Sequence, residues 1–243
     1  MKTKLLFISS GKFLSLRGKT RVHGLLWGSY PLISGLFLMM LFSGCLVKSL
    51  HPFYTEKDLV SKPELIGNWA GQDSASGEIR QAWEISQHMV SAGLFKDEKP
   101  GRGYDITYTD AKGKSKFYAH LFSLGGQMYL DFYLPDIEGQ DLAVMHLIPA
   151  HSLAKVEIEK DKITIMWYNE DWLVKLFNEN RIRIAHERIP YDLDEKNPDN
   201  FQVVLTAPTA DLQKFILKYG NDPNAFMTDN KKSDYTFVLK KRS

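Results

Sequence analysis

The sequence predicts a mainly β domain, an antiparallel meander that closes as a barrel or a sandwich and carries two amphipathic helices. Short segments in which apolar and polar residues alternate recur from about residue 82 to the end of the chain. Turn-forming sequences separate these segments, and only two stretches have helical periodicity. Sequential short strands joined by tight turns are typical of antiparallel sheets.

The strand predictions depend on which apolar residues share a face. Trp83 and Ile85 share one face of the first clear segment. The apolar faces of the later segments are Tyr104, Ile106 and Tyr108; Phe117, Ala119 and Leu121; Leu130, Phe132 and Leu134; and Ile163, Ile165 and Trp167. Turns are expected at KPGRG (99–103), DAKGK (110–114), LGGQ (124–127) and EKDK (159–162), and a last strand at YTFVLKK (235–241).

Two segments have the periodicity of amphipathic helices. The first helix is expected at about 170–178, with Asn169 as its N-cap and two acidic residues in its first turn. The second is expected at about 210–219, with Thr209 as its N-cap and Gly220 as its stop. Its buried stripe comprises Leu212, Phe215, Ile216 and Tyr219. A helix set between strands departs from a simple eight-strand plan.

Charge divides the chain into two parts. Of the 31 basic residues, six lie before Cys45, where there is no Asp or Glu. The remaining 199 residues therefore hold 25 basic and 29 acidic residues, a net charge of −4. A slightly acidic body argues against a nucleic-acid partner, because binding phosphates needs a surplus of Lys and Arg. With a single cysteine, the chain has no intramolecular disulfide.

The N-terminal segment has three possible readings. Residues 1–23 are basic, and residues 24–44 form an apolar run that ends in small residues before Cys45. This order describes a secretory signal, but the run is also about long enough to be an uncleaved membrane anchor. The third possibility is a buried core segment.

The tetrapeptide Phe42-Ser43-Gly44-Cys45 resembles the lipobox of bacterial lipoproteins, with Phe42 at the place where Leu is usual. The resemblance implies cleavage between Gly44 and Cys45 and attachment of lipid to the Cys45 sulfur. It divides the chain into a signal peptide (1–44), a tether (45–60) and one β-rich domain (61–243). It also implies a cell-envelope protein held at a membrane by its N-terminal lipid. Because Leu46 rather than Asp follows the cysteine, the outer membrane is favoured in a two-membrane cell.

The start of the body carries two further resemblances. Residues 48–69 are similar to the opening of a group of uncharacterised bacterial lipoproteins, which brings no known activity. Gly67 and Trp69 form the G-x-W that opens the first strand of lipocalin-like barrels, where the Trp plugs one end of the barrel. Residues 46–60 are more apolar than a free linker, so we expect part of this stretch to pack onto the body.

No set of residues identifies a reaction. His120, His146 and His151 lack the spacing of a metal site, and Ser152 beside His151 lacks the sequence context of a hydrolase nucleophile. The acidic stretch Asp192, Asp194, Glu195 and Asp199 begins like a calcium loop but lacks its later ligands, so a solvated loop is expected. We therefore expect no cofactor, no metal and no enzymatic activity.

Aromatic residues occur on both faces of the middle strands. They are core beneath a covering helix, the lining of a cavity, or an exposed partner surface. The first functional hypothesis is a membrane-anchored, non-catalytic module that binds a small apolar ligand. The alternative is a structural or assembly lipoprotein that acts through protein–protein contact. A cavity lined by the aromatic strands supports the first, and a filled interior supports the second.

Overall fold

Within the part of the chain that the structure describes, eight antiparallel strands close into a barrel, and three further strands and two helices pack against its outside. The structure is a computed structural model, which describes residues 46–72, 78–92, 97–134, 147–190, 201–226 and 236–242. The barrel strands are β2 (Gly67–Gln72), β3 (Ile79–Ala92), β4 (Asp97–Asp110), β5 (Gly113–Leu124), β6 (Gln127–Tyr133), β7 (His151–Ile158), β8 (Lys162–Trp167) and β11 (Thr236–Lys241). Pairing runs in this order, and β11 closes the barrel by pairing with both β8 and β2.

The predicted mainly β fold class is confirmed. Of the two predicted forms, a barrel or a sandwich, the sheet forms a barrel. The alternation predicted from sequence matches the interior, because the inward positions of every barrel strand belong to one buried cluster. Cross-strand register joins these positions directly. Trp69 pairs with Trp83, Ile85 with Ile106, and Leu121 with Leu130.

The predicted turn at residues 99–103 is wrong, because this stretch lies within β4. Strand β3 continues beyond the irregularity between Gln87 and Met89, and its last residues pair with the start of β4. The glycines that suggested a turn instead make room for neighbouring side chains. A Cβ atom at Gly103 would lie 2.5 Å from the ring of Tyr118 on β5.

The outer layer contains β1 (Lys48–Ser49), β9 (His186–Pro190), β10 (Phe201–Leu205), α1 (Glu170–Asn178) and α2 (Thr209–Tyr219). The two-residue strand β1 pairs antiparallel with the first residues of β7 and parallel with β10. It thereby joins a small three-stranded sheet to the barrel. Strands β1, β9 and β10 were not predicted, since short strands with no clear alternation give a weak sequence signal.

Both helices are confirmed, but one predicted cap is wrong. The side chain of Asn169 accepts the Trp172 N–H at the start of α1, as predicted. At α2 the N-cap is Pro208, and Thr209 is the first helical residue. The Thr209 hydroxyl donates to the carbonyl of Pro52 instead, so it ties α2 to the N-terminal segment. The helices bury their apolar stripes in a second cluster outside the barrel wall.

The segment from Leu46 to Leu65 is part of the folded body. Val47 and Phe53 are almost fully buried in the outer cluster, and the backbone N–H of Val60 donates to the carbonyl of Leu121 on β5. Two short 3-10 helices, Glu56–Asp58 and Pro63–Leu65, lead to β2. The expected packing of this apolar stretch onto the body is therefore observed.

Candidate functional site

The barrel interior, the place for the apolar ligand of the first hypothesis, is filled with side chains. The Phe132 ring lies 4.5 Å from Trp167 and 6.4 Å from Trp83, measured between ring centroids. A ligand-sized void leaves accessible surface on the side chains around it, and the interior has almost none. Interior residues with 0% exposure include Trp69, Ala119, Leu121, Ile163 and Ile165. Within the described residues, the aromatic interior is a packed core.

Gly67 and Trp69 shape one end of the barrel. Gly67 has φ of +141°, in a region that favours glycine. The buried Trp69 donates its Nε1–H to the carbonyl of Leu65 at 2.9 Å, which fixes the 3-10 helix Pro63–Leu65 over this end. Lys241 Nζ lies 5.3 Å from the centre of the Trp69 ring. These residues therefore build one end of the barrel, where the Trp69 side chain is fully buried.

Several predicted site residues lie outside the described residues. These are the signal segment with Gly44 and Cys45, His146, and the acidic stretch at 191–200 with Asp192, Asp194, Glu195 and Asp199. The predicted anchor site and the predicted acidic loop therefore stay predictions. Leu46, the residue after Cys45, is described and forms a bridge with Asn169.

A polar network of Tyr54, Tyr118, His120, His88 and Asp105 lies on the outer face of β3, β4 and β5. The hydroxyl of Tyr54 lies 2.8 Å from His120 Nδ1, and that of Tyr118 lies 3.2 Å from His120 Nε2. His88 Nδ1 pairs with Asp105 at 3.0 Å, and its ring packs edge-on against Tyr118. Tyr54 from the N-terminal segment and Tyr118 from β5 thus bind the imidazole of His120, and His88 and Asp105 join the network through Tyr118.

Burial keeps the centre of this network neutral. It lowers the pKa of His120 to about 4, because the ring is partly removed from water and its two direct partners are hydroxyls. Burial also raises the pKa of both Tyr54 and Tyr118. A neutral imidazole has one N–H and one acceptor nitrogen, so one tyrosine accepts from it and the other donates to it.

A buried pair, Asp131 and His151, holds the N-terminal segment beside this network. One oxygen of the Asp131 carboxylate lies 2.6 Å from His151 Nδ1, and the other accepts the backbone N–H of Phe53 at 2.8 Å. Asp131 is 1% exposed, and desolvation raises its pKa despite both partners. The backbone of Phe53 is therefore fixed to β6 by a buried carboxylate.

The buried pair has no nucleophile beside it among the described residues. Ser152 pairs with Phe132 on the neighbouring strand β6. Its side chain therefore lies on the same face of the sheet as that of Phe132, opposite the face that carries His151. The hydroxyl of Ser49 donates to the carbonyl of His51 and accepts the backbone N–H of the same residue. Across the described ranges, no group of three or more His, Cys, Asp or Glu side chains could hold a metal ion.

An open cleft of about 580 Å³ lies between the first 3-10 helix and β4. Its rim includes the exposed ion pair of Glu56 and Arg102, at 3.1 Å. Leu59, Val60 and Gly101 contribute its apolar part, and Lys57 and Ser61 its remaining polar part. The cleft adjoins the polar network, because Glu56 follows Tyr54 by two residues and the backbone N–H of Val60 donates to the carbonyl of Leu121, the residue after His120.

The polar network and the buried pair are only partly predictable from the sequence. His120 and Asp131 occupy outward positions of neighbouring strands and pair directly in register, which alternation can indicate. Their partners Tyr54 and Phe53 come from more than 60 residues away, and no local pattern specifies that pairing.

No helix in the described part of the chain is long and apolar enough to cross a membrane. No protein-family model, curated protein or solved structure is significantly similar to this chain.

Proposed function

We propose that the chain is a lipid-anchored, non-catalytic lipoprotein of the cell envelope, whose mature form begins at Cys45. The compact unit that contains the barrel begins at Gly44, one residue before the lipobox cysteine. Val47, two residues after the lipobox cysteine, is 1% exposed. Both observations support the proposal, because a lipoprotein body starts where its signal peptide ends. Leu46 after the cysteine favours the outer membrane in a two-membrane cell.

The anchor is tested by labelling cells with an alkyne analogue of palmitate and fractionating their membranes. The parent protein is expected to carry the label, to lack residues 1–44 and to sediment with membranes. Cys45→Ser is expected to lose the label and to remain uncleaved. The matched control is His51→Ala, at an exposed side chain six residues away, which should behave like the parent. A Cys45→Ser protein that is still cleaved and labelled contradicts the proposal.

Of the two functional hypotheses, we propose contact with a protein partner rather than transport of a small apolar ligand. The observation that favours a protein partner is the filled barrel interior. Trp69, Trp83 and Phe132 are each at most 3% exposed, so they already occupy the place of a ligand. To admit a lipid-sized molecule, the barrel would have to expel part of this core, and each large core side chain stabilises the fold by about 3–5 kcal/mol.

The outer cleft is the partner surface that we propose. It combines the Glu56–Arg102 ion pair with the partly buried apolar residues Leu59 and Val60, a mixture common in non-obligate interfaces. Its two walls come from the N-terminal segment and from β4, and the polar network beneath them fixes their relative position.

Site-specific photo-crosslinking in cells tests the partner surface. A photoreactive amino acid at Lys57 or Arg102 is expected to give one discrete adduct, and the same residue at exposed Glu157 of β7 none. Extraction of the purified native protein is expected to yield no lipid beyond the covalent anchor. A stoichiometric extracted lipid together with no adduct at Lys57 or Arg102 would support the carrier hypothesis instead.

A further inference from the structure

A second open cavity, of about 410 Å³, lies on the outer face of the barrel wall. Trp83 and Ile106 belong to the barrel interior, so the residues next to them in sequence, Glu84 and Thr107, point outward. We call this cavity the wall groove. Its polar lining consists of Asn68, Glu84, Thr107, Thr109, Lys114 and Arg242, none of which lines the outer cleft.

Cross-strand register orders the wall groove as two neighbouring rows of outward side chains. One row contains Asn68, Glu84, Thr107 and Lys116, and the other contains Lys240, Ala70, Ala82, Thr109 and Lys114. The backbone N–H of Arg242 donates to the carbonyl of Asn68 at 2.8 Å, which places Arg242 at the end of the first row. Each row therefore has a basic residue at either end. Because adjacent strands lie about 4.8 Å apart, about 14 Å of sheet separates β2 from β5.

The polar side chains of the wall groove are not engaged with one another. Among the described residues, Lys114 and Arg242 have no acidic side chain within 4.0 Å, and Glu84 has no basic one. In the same part of the chain, the two threonine hydroxyls and the Asn68 amide form no hydrogen bond to the protein. Their donors and acceptors are therefore free to bind a ligand.

The ends of the two rows form a positive face on an acidic body. Lys114, Lys116, Lys240 and Arg242 are all exposed, and Glu84 is the one acidic residue in the rows. Residues 45–243 as a whole have a net charge of −4. A local surplus of basic side chains on such a body raises the local concentration of anionic molecules.

The side chains of the wall groove specify the chemistry of its ligand. Lys114 and Arg242 are cationic donors, so they pair with a carboxylate or phosphate group. Glu84, on β3 between them, only accepts hydrogen bonds and repels an anion, so it needs a donor group. The threonine hydroxyls and the Asn68 amide both donate and accept, which matches the hydroxyl groups of a sugar. A molecule that presents acidic groups and many hydroxyls over about 14 Å is an acidic oligosaccharide.

We propose that the wall groove binds an acidic oligosaccharide, whose carboxylate or phosphate groups pair with Lys114 and Arg242 and whose hydroxyl groups bind Glu84 and the two threonines. This inference goes beyond the proposed function, since it needs neither the lipidation of Cys45 nor a partner at the outer cleft. The groove is open to solvent, so we expect a Kd on the order of 0.1–1 mM and loss of the ligand on purification.

Ligand-observed NMR titration of the full chain in detergent micelles tests the proposal. The probes are trigalacturonic acid, neutral maltotriose of the same length, and inorganic phosphate. We expect trigalacturonic acid to bind at least about tenfold more tightly than the other two, and its binding alone among the sugars to weaken as ionic strength rises. Equal binding of maltotriose would show that the cations play no part, and equal binding of phosphate would show an anion site without a sugar site. Either result, or no binding of trigalacturonic acid, overturns the proposal.

Substitutions of exposed side chains locate the binding. Lys114→Gln and Arg242→Gln are each expected to weaken binding of trigalacturonic acid about fivefold, the effect of one exposed ion pair. Thr109→Val should weaken binding of the same probe while the urea midpoint stays that of the parent. The matched controls are Lys175→Gln on α1, where Nζ lies far from the groove strands on an exposed side chain, and Thr164→Val on β8. Unchanged binding in the groove variants, or an equal loss in the controls, would contradict the site.

Discussion

Removal of the Asp131 carboxylate is expected to be the most destabilising polar substitution on the outer face of the barrel. In Asp131→Ala, the Phe53 N–H and His151 Nδ1 both lose their partner, in a site that is 1% exposed. A hydrogen bond to a charged group contributes about 1.5–3 kcal/mol, so two give about 3–6 kcal/mol. We therefore expect a loss of about 4 kcal/mol, a large part of the 5–15 kcal/mol typical of a domain.

Urea unfolding of the Gly44–Ser243 unit, followed by tryptophan fluorescence, measures this loss. With a slope of about 1–3 kcal/mol per molar urea, the midpoint falls by more than about 1 M. Asp131→Asn keeps one acceptor oxygen and is expected to lose about half as much. Asp105→Ala is the matched control, since its pair with His88 is exposed and should contribute less than about 1 kcal/mol.

Hydrogen exchange locates the effect. In Asp131→Ala, the amide of Phe53 is expected to lose protection first, because its acceptor is gone. An Asp131→Ala protein within about 1 kcal/mol of the parent, or one no less stable than Asp105→Ala, would refute the idea that the buried carboxylate holds the N-terminal segment.

Three further predictions concern a buried hydroxyl, the His120 imidazole and Gly103. The Tyr168 hydroxyl is buried and has no hydrogen-bond partner among the described residues, so Tyr168→Phe is expected to be neutral or stabilising by about 1 kcal/mol. Tyr104→Phe, which removes the acceptor of the Lys62 N–H, should destabilise the protein by about 1 kcal/mol in the same urea assay. Because burial lowers the pKa of His120 from 6.5 to about 4, the unfolded chain takes up this proton first as the pH falls, and stability is lost between those values. This difference in pKa corresponds to at most about 3 kcal/mol of stability, which partial exposure of the ring reduces to about 1–2 kcal/mol. A His120→Gln protein should lack this part of the pH dependence of the free energy of unfolding. Gly103→Ala places a Cβ atom 2.5 Å from the Tyr118 ring and should cost about 1–3 kcal/mol, a loss that Tyr118→Ala in the same chain should largely relieve.

The barrel was predictable because its signal is local and repeated. Each inward face, such as Ile163, Ile165 and Trp167, alternates over a single strand, and the structure places those residues in one interior cluster. The helix at α1 was predictable for a similar reason, since Asn169 caps it through a contact three residues away. Turn residues were the weak point, because Gly101 and Gly103 serve packing within β4 and not a change of direction.

The candidate sites were less predictable, because they depend on long-range contacts. His120 was noticed as a single strand residue, but its bond to Tyr54 joins residues 66 positions apart. Periodicity indicates that an aromatic face is buried, yet it does not distinguish a filled barrel from a hollow one. That distinction depends on how the side chains of all eight strands meet, as Trp83, Phe132 and Trp167 do here.

The most direct test of the proposed function is native mass spectrometry of the protein released from its own membranes in mild detergent. The expected mass is that of residues 45–243 plus a covalent diacylglyceryl group and an N-terminal acyl group, with no further non-covalent ligand. That result agrees with a lipid-anchored protein whose barrel is solid. A mass that includes residues 1–44, or one that falls by the weight of a lipid when the protein is denatured, would contradict it.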